Sequence, residues 1–170
     1  MTIRTEQQAD YETIYFVVKN AFETAELSDG NEHNLVNALR QSTAYIPELS
    51  LVTEINGKIV GHIMFIKLQI GKHIALALAP LSVLPEYQKQ GIGTSLVLEG
   101  HRIAKELGYC YSVVLGSEKY YPRMGYLPAS KFGIQPCFEV PDKNFMAYKL
   151  LVNAPTISGI VSYAKEFGID

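Results

Sequence analysis

Polar and apolar residues change their rhythm several times along the chain, and each change marks an element. Residues 2–7 (TIRTEQ) alternate as a first strand does. Asp10 stands where a helix N-cap belongs, and Ile14, Val17, Val18, Ala21 and Phe22 then follow at helical spacing. The polar break at 28–31 (SDGN) separates this helix from a second over 32–40, a unit that Pro47 closes. Two β-rich runs, 48–55 and 58–70, flank Asn56-Gly57. Because both central residues of a tight hairpin turn must accept positive φ, that pair predicts a hairpin. After Gly71-Lys72 the run HIALALAPLSVL adds a third long strand, making an antiparallel meander.

Helical spacing returns after Gly91. Ile92, Leu96, Ile103 and Leu107 form an apolar stripe, and Gly100 falls on it, where a missing side chain lets the helix approach the sheet. Gly108 stands where the helix end wants a left-handed residue. Residues 109–116 (YCYSVVLG) read as a buried strand, 117–124 (SEKYYPRM) as a short helix and 144–152 (NFMAYKLLV) as a last strand. Beyond 150, Ile157, Ile160, Val161, Tyr163 and Phe167 predict a packed extension with room for one more strand. With no repeat, low-complexity segment or linker, the pattern predicts one α/β (α+β) domain over 1–170. Its sheet is mostly antiparallel, flanked by helices, with one strand-helix-strand crossover.

Composition narrows the partners. The 170 residues are 48% hydrophobic and 19% charged, as a globular chain with a real core should be. A net charge of -2 leaves no basic footprint for nucleic acid, and no Lys/Arg block reads as a membrane anchor. No window approaches about 18 uninterrupted apolar residues, and the opening lacks the layout of a secretory signal. Cys110 and Cys137 lie far apart without a second pair of metal ligands, so no structural zinc is expected. Cys110, in an apolar run, reads as a buried thiol. The expectation is a soluble, cytoplasmic protein with no metal, no nucleic acid and no membrane partner.

The chemistry is concentrated in 84–96, LPEYQKQGIGTSL. A helix start leaves free N–H groups and a partial positive charge, so it suits an anion. Gly91 and Gly93 let an anion approach the backbone, with Thr94 and Ser95 hydroxyls near. GxxxxGK[ST] is absent, and Leu96 stands where GxGxxG needs its last glycine, so two common nucleotide motifs fail. The plainer reading is a glycine turn needed only for strand-helix packing.

These residues resemble a known family. LSVLPEYQKQGIGTSL is similar to the acyl-CoA-binding motif [RQ]-x-x-G-x-[GA] of the GCN5-related N-acetyltransferases, with Gln88 in the first position. Tyr120-Tyr121-Pro122-Arg123-Met124-Gly125-Tyr126 resembles that family's F-Y-x-x-x-G-F, and the opening 3–22 resembles its first strand and helix. The resemblance covers residues 1–150 and implies the family fold, with a sheet splayed at the CoA site. It implies acetyl-CoA as co-substrate and a primary amine, on a small molecule or a peptide, as acceptor. Backbone groups at Leu81 and Val83 would meet the pantetheine arm. Amides of about Leu84 to Leu96, Gln88, Lys89, Gln90, Gly91, Ile92, Gly93 and Thr94 among them, would serve the ligand, those from Lys89 to Thr94 the pyrophosphate. Dimers are common in such proteins, so a homodimer is a possibility the resemblance carries.

It also implies Tyr121 as general acid to the leaving thiolate. From reference pKa values of about 10 and about 8.5, that transfer is uphill by roughly 2 kcal/mol, acceptable beside a catalytic barrier. Tyr120 and Tyr126 read more simply as core aromatics. The strand position that often carries a glutamate base falls in Ala79-Pro80-Leu81-Ser82, which leaves Glu118, Glu23 or a water chain to take the amine's proton. His62 and His73 read as structural. Glu23, Glu26, Asp29 and Glu32 would favour a cationic amine, or form a solvated acidic loop. Without a cysteine near either motif, direct attack is expected in place of a covalent enzyme intermediate. The alternative is a non-catalytic acyl-CoA sensor.

Overall fold

The computed structural model describes residues 1–23, 25 and 28–169. Asn56 (φ 53°) and Gly57 (φ 77°) both adopt the left-handed conformation their turn demands, and they join β2 (Tyr45–Ile55) to β3 (Lys58–Ile70). β3 pairs next with β4 (His73–Val83), which completes the meander. β1 (Thr2–Thr5) lies outside β2, and β5 (Tyr111–Leu115) runs parallel to β4 after the crossover helix α3 (Ile92–Glu106). β8 (Phe145–Lys149) and β6 (Leu127–Pro128) extend the sheet antiparallel, giving the order β1-β2-β3-β4-β5-β8-β6. β9 (Gly159–Ser162) pairs with the far end of β3 and, in parallel, with β7 (Ile134–Gln135). The extension past residue 150 is therefore tied into the sheet.

α3 presses on the β3 face that carries Gly61 and Phe65. A Cβ added to Gly100 would lie 2.2 Å from the Phe65 ring, so that glycine is what lets helix and sheet meet. The buried stripe is Ile92, Leu96, Val97, His101 and Ala104, while Leu107 is exposed. Leu107 keeps the angular phase of the stripe but is the C-cap residue, one position past the last turn of α3, where little packs over it.

α1 (Tyr11–Phe22) and α2 (Glu32–Arg40) precede the meander. Arg40 of α2 reaches the other face of β3, where His62 projects. There Glu6, wholly buried, accepts hydrogen bonds from Arg40 Nε at 2.7 Å and the Tyr45 hydroxyl at 2.7 Å, with His62 Nε2 at 3.1 Å. Burial alone would push the Glu6 carboxyl up. The His62 and Arg40 hydrogen bonds outweigh it and hold the group well below the usual carboxylate range. Burial pushes His62 down against the pull of Glu6.

Several boundaries differ from the sequence reading. The first strand stops at Thr5 because the chain tightens into a 3-10 turn at Gln8–Asp10. Asp10 does not cap α1 with its side chain. It binds Arg4 and the Gln7 amide instead. Pro47 lies inside β2, in the irregular stretch between Tyr45 and Ser50, where a missing N–H is tolerated. The segment before Gly125 is a 3-10 turn, Tyr121–Met124, and Cys110, just before β5, is half-buried. No helix of the described residues is long and apolar enough to cross a membrane.

Candidate active site

β4 and β5 begin side by side and then part. Their described pairs are Leu76↔Ser112 and Ala77↔Val113. On the other edge of β4, Leu78 faces Phe65 and Leu81 faces Ile63, so Ala79 and Pro80 both stand against Met64. That extra residue is a β-bulge, which bends its strand, and Pro80 offers no N–H to a ladder. Beyond Ala77 the β5-facing edge of β4 is open to an extended ligand.

The chain then turns at Pro85–Tyr87 and enters α3 through Lys89 (φ 63°) and Gly91 (φ 85°). Positive φ is uncommon for a residue with a side chain, and Lys89 adopts it in the turn that leads into α3. The first amides of α3 have no helical partner, and a Cβ at Gly91 would meet nothing within 4 Å. The two glycines do different work. Gly91 supplies the left-handed step, while Gly93 makes room for Tyr120, whose hydroxyl would lie 2.7 Å from a Cβ there.

A cleft of about 500 Å³ opens over this turn. Among the residues implied by the motif, Leu81, Val83, Gln88 and Lys89 line it, as do Gly91, Ile92, Gly93 and Thr94. Leu84 does not: it is buried, and its amide bonds to Val60 O at 2.9 Å. Gln90 points its amide at Glu86 O instead. Tyr87, Tyr120 and Arg123 complete the lining, and none of them was singled out as a binding residue from sequence. The charged residues of the lining, Lys89 and Arg123, are both cations, as a polyphosphate requires. Arg123 lies 4.9 Å over the Tyr120 ring.

Leu81 and Tyr120 also border a second cavity of about 640 Å³, between the parted strands. Tyr121 faces this chamber. Its ring lies against Gly116, where a Cβ would come within 2.4 Å, and packs edge-on against Tyr120 (5.1 Å) and Tyr126 (5.7 Å). Burial pushes the Tyr121 phenol well above its ordinary value, with Tyr120 adding to the shift, so it remains protonated. Tyr126 is fully buried, its hydroxyl shared between Ser112 Oγ at 2.8 Å and His101 Nε2 at 3.1 Å, so its place is structural.

The acidic residues scatter. Glu118 lies in an outer vestibule, bonded to Asn144 Nδ2 at 2.9 Å. Its own amide and Asn144 hold its carboxyl below the ordinary value, which makes it a weak base. Glu23 is exposed and lines neither cavity, and Glu26 lies outside the described residues. Glu32 instead borders both chamber and vestibule, its carboxylate held by the Ser28 hydroxyl at 2.7 and 2.8 Å. His62 is sealed in its network away from the chamber.

An open strand edge thus leads to a helix start with free amides, beside a chamber between parted strands, and the comparisons with known proteins make the chain an acyltransferase. The family model of the acetyltransferase (GNAT) family matches residues 9–126, and the chain belongs to that family. It is 33% identical to the N-acetyltransferase YjhQ of Escherichia coli K12 over 150 residues, 84% of this chain and 83% of that one. It is 28% identical to the N-acetyltransferase YhbS of the same strain over 98% of each. The crystal structure of E. coli YhbS in complex with CoA superposes with a TM-score of 0.88 at 27% identity, covering 99% of this chain and 92% of that one. A GNAT acetyltransferase from Brucella melitensis in complex with acetyl-CoA gives 0.82 at 32% identity, covering 98% and 97%.

Proposed function

We propose that this acetyltransferase moves an acetyl group from acetyl-CoA to a primary amine by direct attack, with the whole chain acting as one domain. The observation that carries the reading is a cleft lined by two cations and a largely apolar chamber that share Leu81 and Tyr120 as a common border. The cationic cleft suits the phosphates, and the chamber beyond it suits acetyl group and amine. The α3 amides and Gly91 would hold the pyrophosphate, Arg123 would add a charge-assisted contact, and the open edge of β4 would take the pantetheine arm. The relatives crystallised with CoA and acetyl-CoA support this assignment. Because that co-substrate belongs to the cell interior, the proposed place of action is the cytoplasm.

The amine must first lose a proton. β4 carries no carboxylate, so the proton leaves through water in the chamber and its vestibule. The neutral nitrogen then attacks the thioester carbonyl carbon, a C–N bond forms, and the C–S bond breaks. Tyr121 donates its hydroxyl hydrogen bond to the departing sulfur, and the second N–H proton, released from the nitrogen as the amide forms, passes through water to the thiolate or to Tyr121, so that CoA leaves as the thiol. Because the phenol is pushed up, its part is stabilising the developing charge more than early transfer. Tyr121→Phe should lower kcat about a hundredfold or more in a thiol-release assay while acetyl-CoA still binds. Unchanged turnover would remove Tyr121 from the mechanism.

A further inference from the structure

The chamber beyond the cleft is built for something apolar. One wall is aromatic: Phe138 stacks on Tyr163 at 6.1 Å, and Tyr163 meets Phe167 at 5.1 Å. Tyr163 and Phe167 come from the segment after residue 150, which the motifs leave unexplained. β9 anchors that segment to β3 through Gln69↔Ser162 and Ile70↔Val161, so the wall is fixed to the sheet. Leu35 of α2 and Leu78 and Pro80 of β4 line other sides. Among the described residues, Glu32 is the charged side chain of this lining.

We propose that the acceptor is a monoamine carried on an apolar body, aromatic or branched aliphatic, with its ammonium met by Glu32 as it enters. This rests on the acetyl-transfer reading and names its acceptor class. The charge arithmetic selects against other amines. An ammonium entering an apolar chamber loses its hydration and needs a counter-charge, and Glu32 supplies one. A polyamine would bring further ammonium groups with no described carboxylate in the chamber to meet them. An aminoglycoside would also bury many hydroxyls against aromatic rings and aliphatic side chains, where they find few partners. The faces of Tyr163 and Phe167 accept an aromatic ring or a branched alkyl group without such a cost.

Glu32 is placed for this. It borders both the chamber and the vestibule, which also share Phe22, Leu115 and Gly116 in their linings, and the Ser28 hydroxyl lies within 2.8 Å of both carboxylate oxygens. Glu118 lines the vestibule as well, paired with Lys143 Nζ at 3.7 Å, so the negative charge of the way in rests chiefly on Glu32. An amine arriving there passes from carboxylates at the entrance to an apolar interior, and its body settles against the aromatic wall.

The test uses the full chain and acetyl-CoA, with 2-phenylethylamine and isopentylamine set against spermidine and kanamycin in a thiol-release assay. Calorimetric titration with CoA runs on the same samples. The expected result is a kcat/KM for the apolar monoamines at least about tenfold above that for the polycations, a difference of about 1.4 kcal/mol. Glu32→Gln should raise the KM for 2-phenylethylamine about tenfold with the KM for acetyl-CoA unchanged, a split that a general loss of structure would not give. Ser28→Ala should raise the same KM by a smaller factor. Phe138→Asp, at a half-buried position, should shift preference toward spermidine. Equal or better use of spermidine or kanamycin by the native chain would overturn the assignment. So would CoA binding with no turnover of either apolar amine, or a polar amine used best with octanoyl-CoA, which would give the chamber to the acyl chain. Failure to bind CoA is a separate result: it would overturn the acetyl-transfer reading, and this inference with it.

Discussion

The Tyr120 hydroxyl lies 3.2 Å from Thr94 Oγ1, and this contact fastens the segment after β5 to the first turn of α3. It also explains Gly93, since any side chain there would strike the same hydroxyl. The two sequence motifs are therefore one structure: the glycine of the first exists partly to seat a tyrosine of the second. Both residues line the proposed CoA cleft.

Tyr120→Phe removes a hydrogen bond of about 0.5–1.5 kcal/mol and should raise the KM for acetyl-CoA by up to about tenfold. Gly93→Ala should do more, because it displaces the tyrosine itself. Steady-state kinetics on both variants decide the order. A harmless Gly93→Ala would show that the cleft does not depend on this seat.

Gly100→Ala tests the packing beneath the site. Its methyl group would enter the Phe65 ring, and overpacking of this kind costs about 1–3 kcal/mol. Denaturant unfolding should show that loss with an unchanged slope. A variant as stable as the native chain would mean that α3 can rise off the sheet without penalty.

Acid should weaken the fold well before its surface carboxylates titrate. Burial pushes His101 down to about 4 from the ordinary 6.5, with Lys105 adding to the shift. Its folded value lies below its unfolded one, so below about 6.5 the unfolded chain binds the proton first and stability falls. The slope is at most about 1.4 kcal/mol per pH unit from this group, down to about pH 4. His62 shifts in the same direction, and Glu6, held low by His62 and Arg40 against its own burial, adds its loss further down. Thermal melts between neutral pH and pH 4 should show a falling Tm, with a shallower fall in His101→Gln. A flat profile would contradict the buried neutral histidines.

The turn chemistry was the most legible part of the sequence. Asn56-Gly57 and Gly91 are constrained by backbone sterics that no neighbour can override, so their positions fix a hairpin and a helix start. Gly100 was readable for a related reason, as a gap in an apolar stripe. What stayed hidden depends on where separate segments meet. Nothing local in β4 announces that Ala79 and Pro80 oppose a single residue. Arg123 faces the cleft because a 3-10 turn ends at Gly125, and that aim is not encoded in spacing. Glu32 looked like one acid among several in 23–32, and its access to the chamber follows from how α2 packs. Leu84 was misplaced among the ligand-facing residues because its amide closes the sheet onto Val60. The C-terminal aromatics gave an apolar pattern, but not the wall they form.

The central claim is that the turn from Lys89 to Thr94 holds the phosphates of a CoA co-substrate. The most direct test is calorimetric titration with CoA of the native chain and of Gly91→Asp, which places a carboxylate at the open face of the turn without touching the core. The native chain should bind with micromolar affinity, and the variant should lose binding by charge repulsion while its melting transition stays cooperative, lowered only by the cost of a side chain at a left-handed position. Equal affinity in the two proteins, or no binding by the native chain at millimolar CoA, would contradict the account.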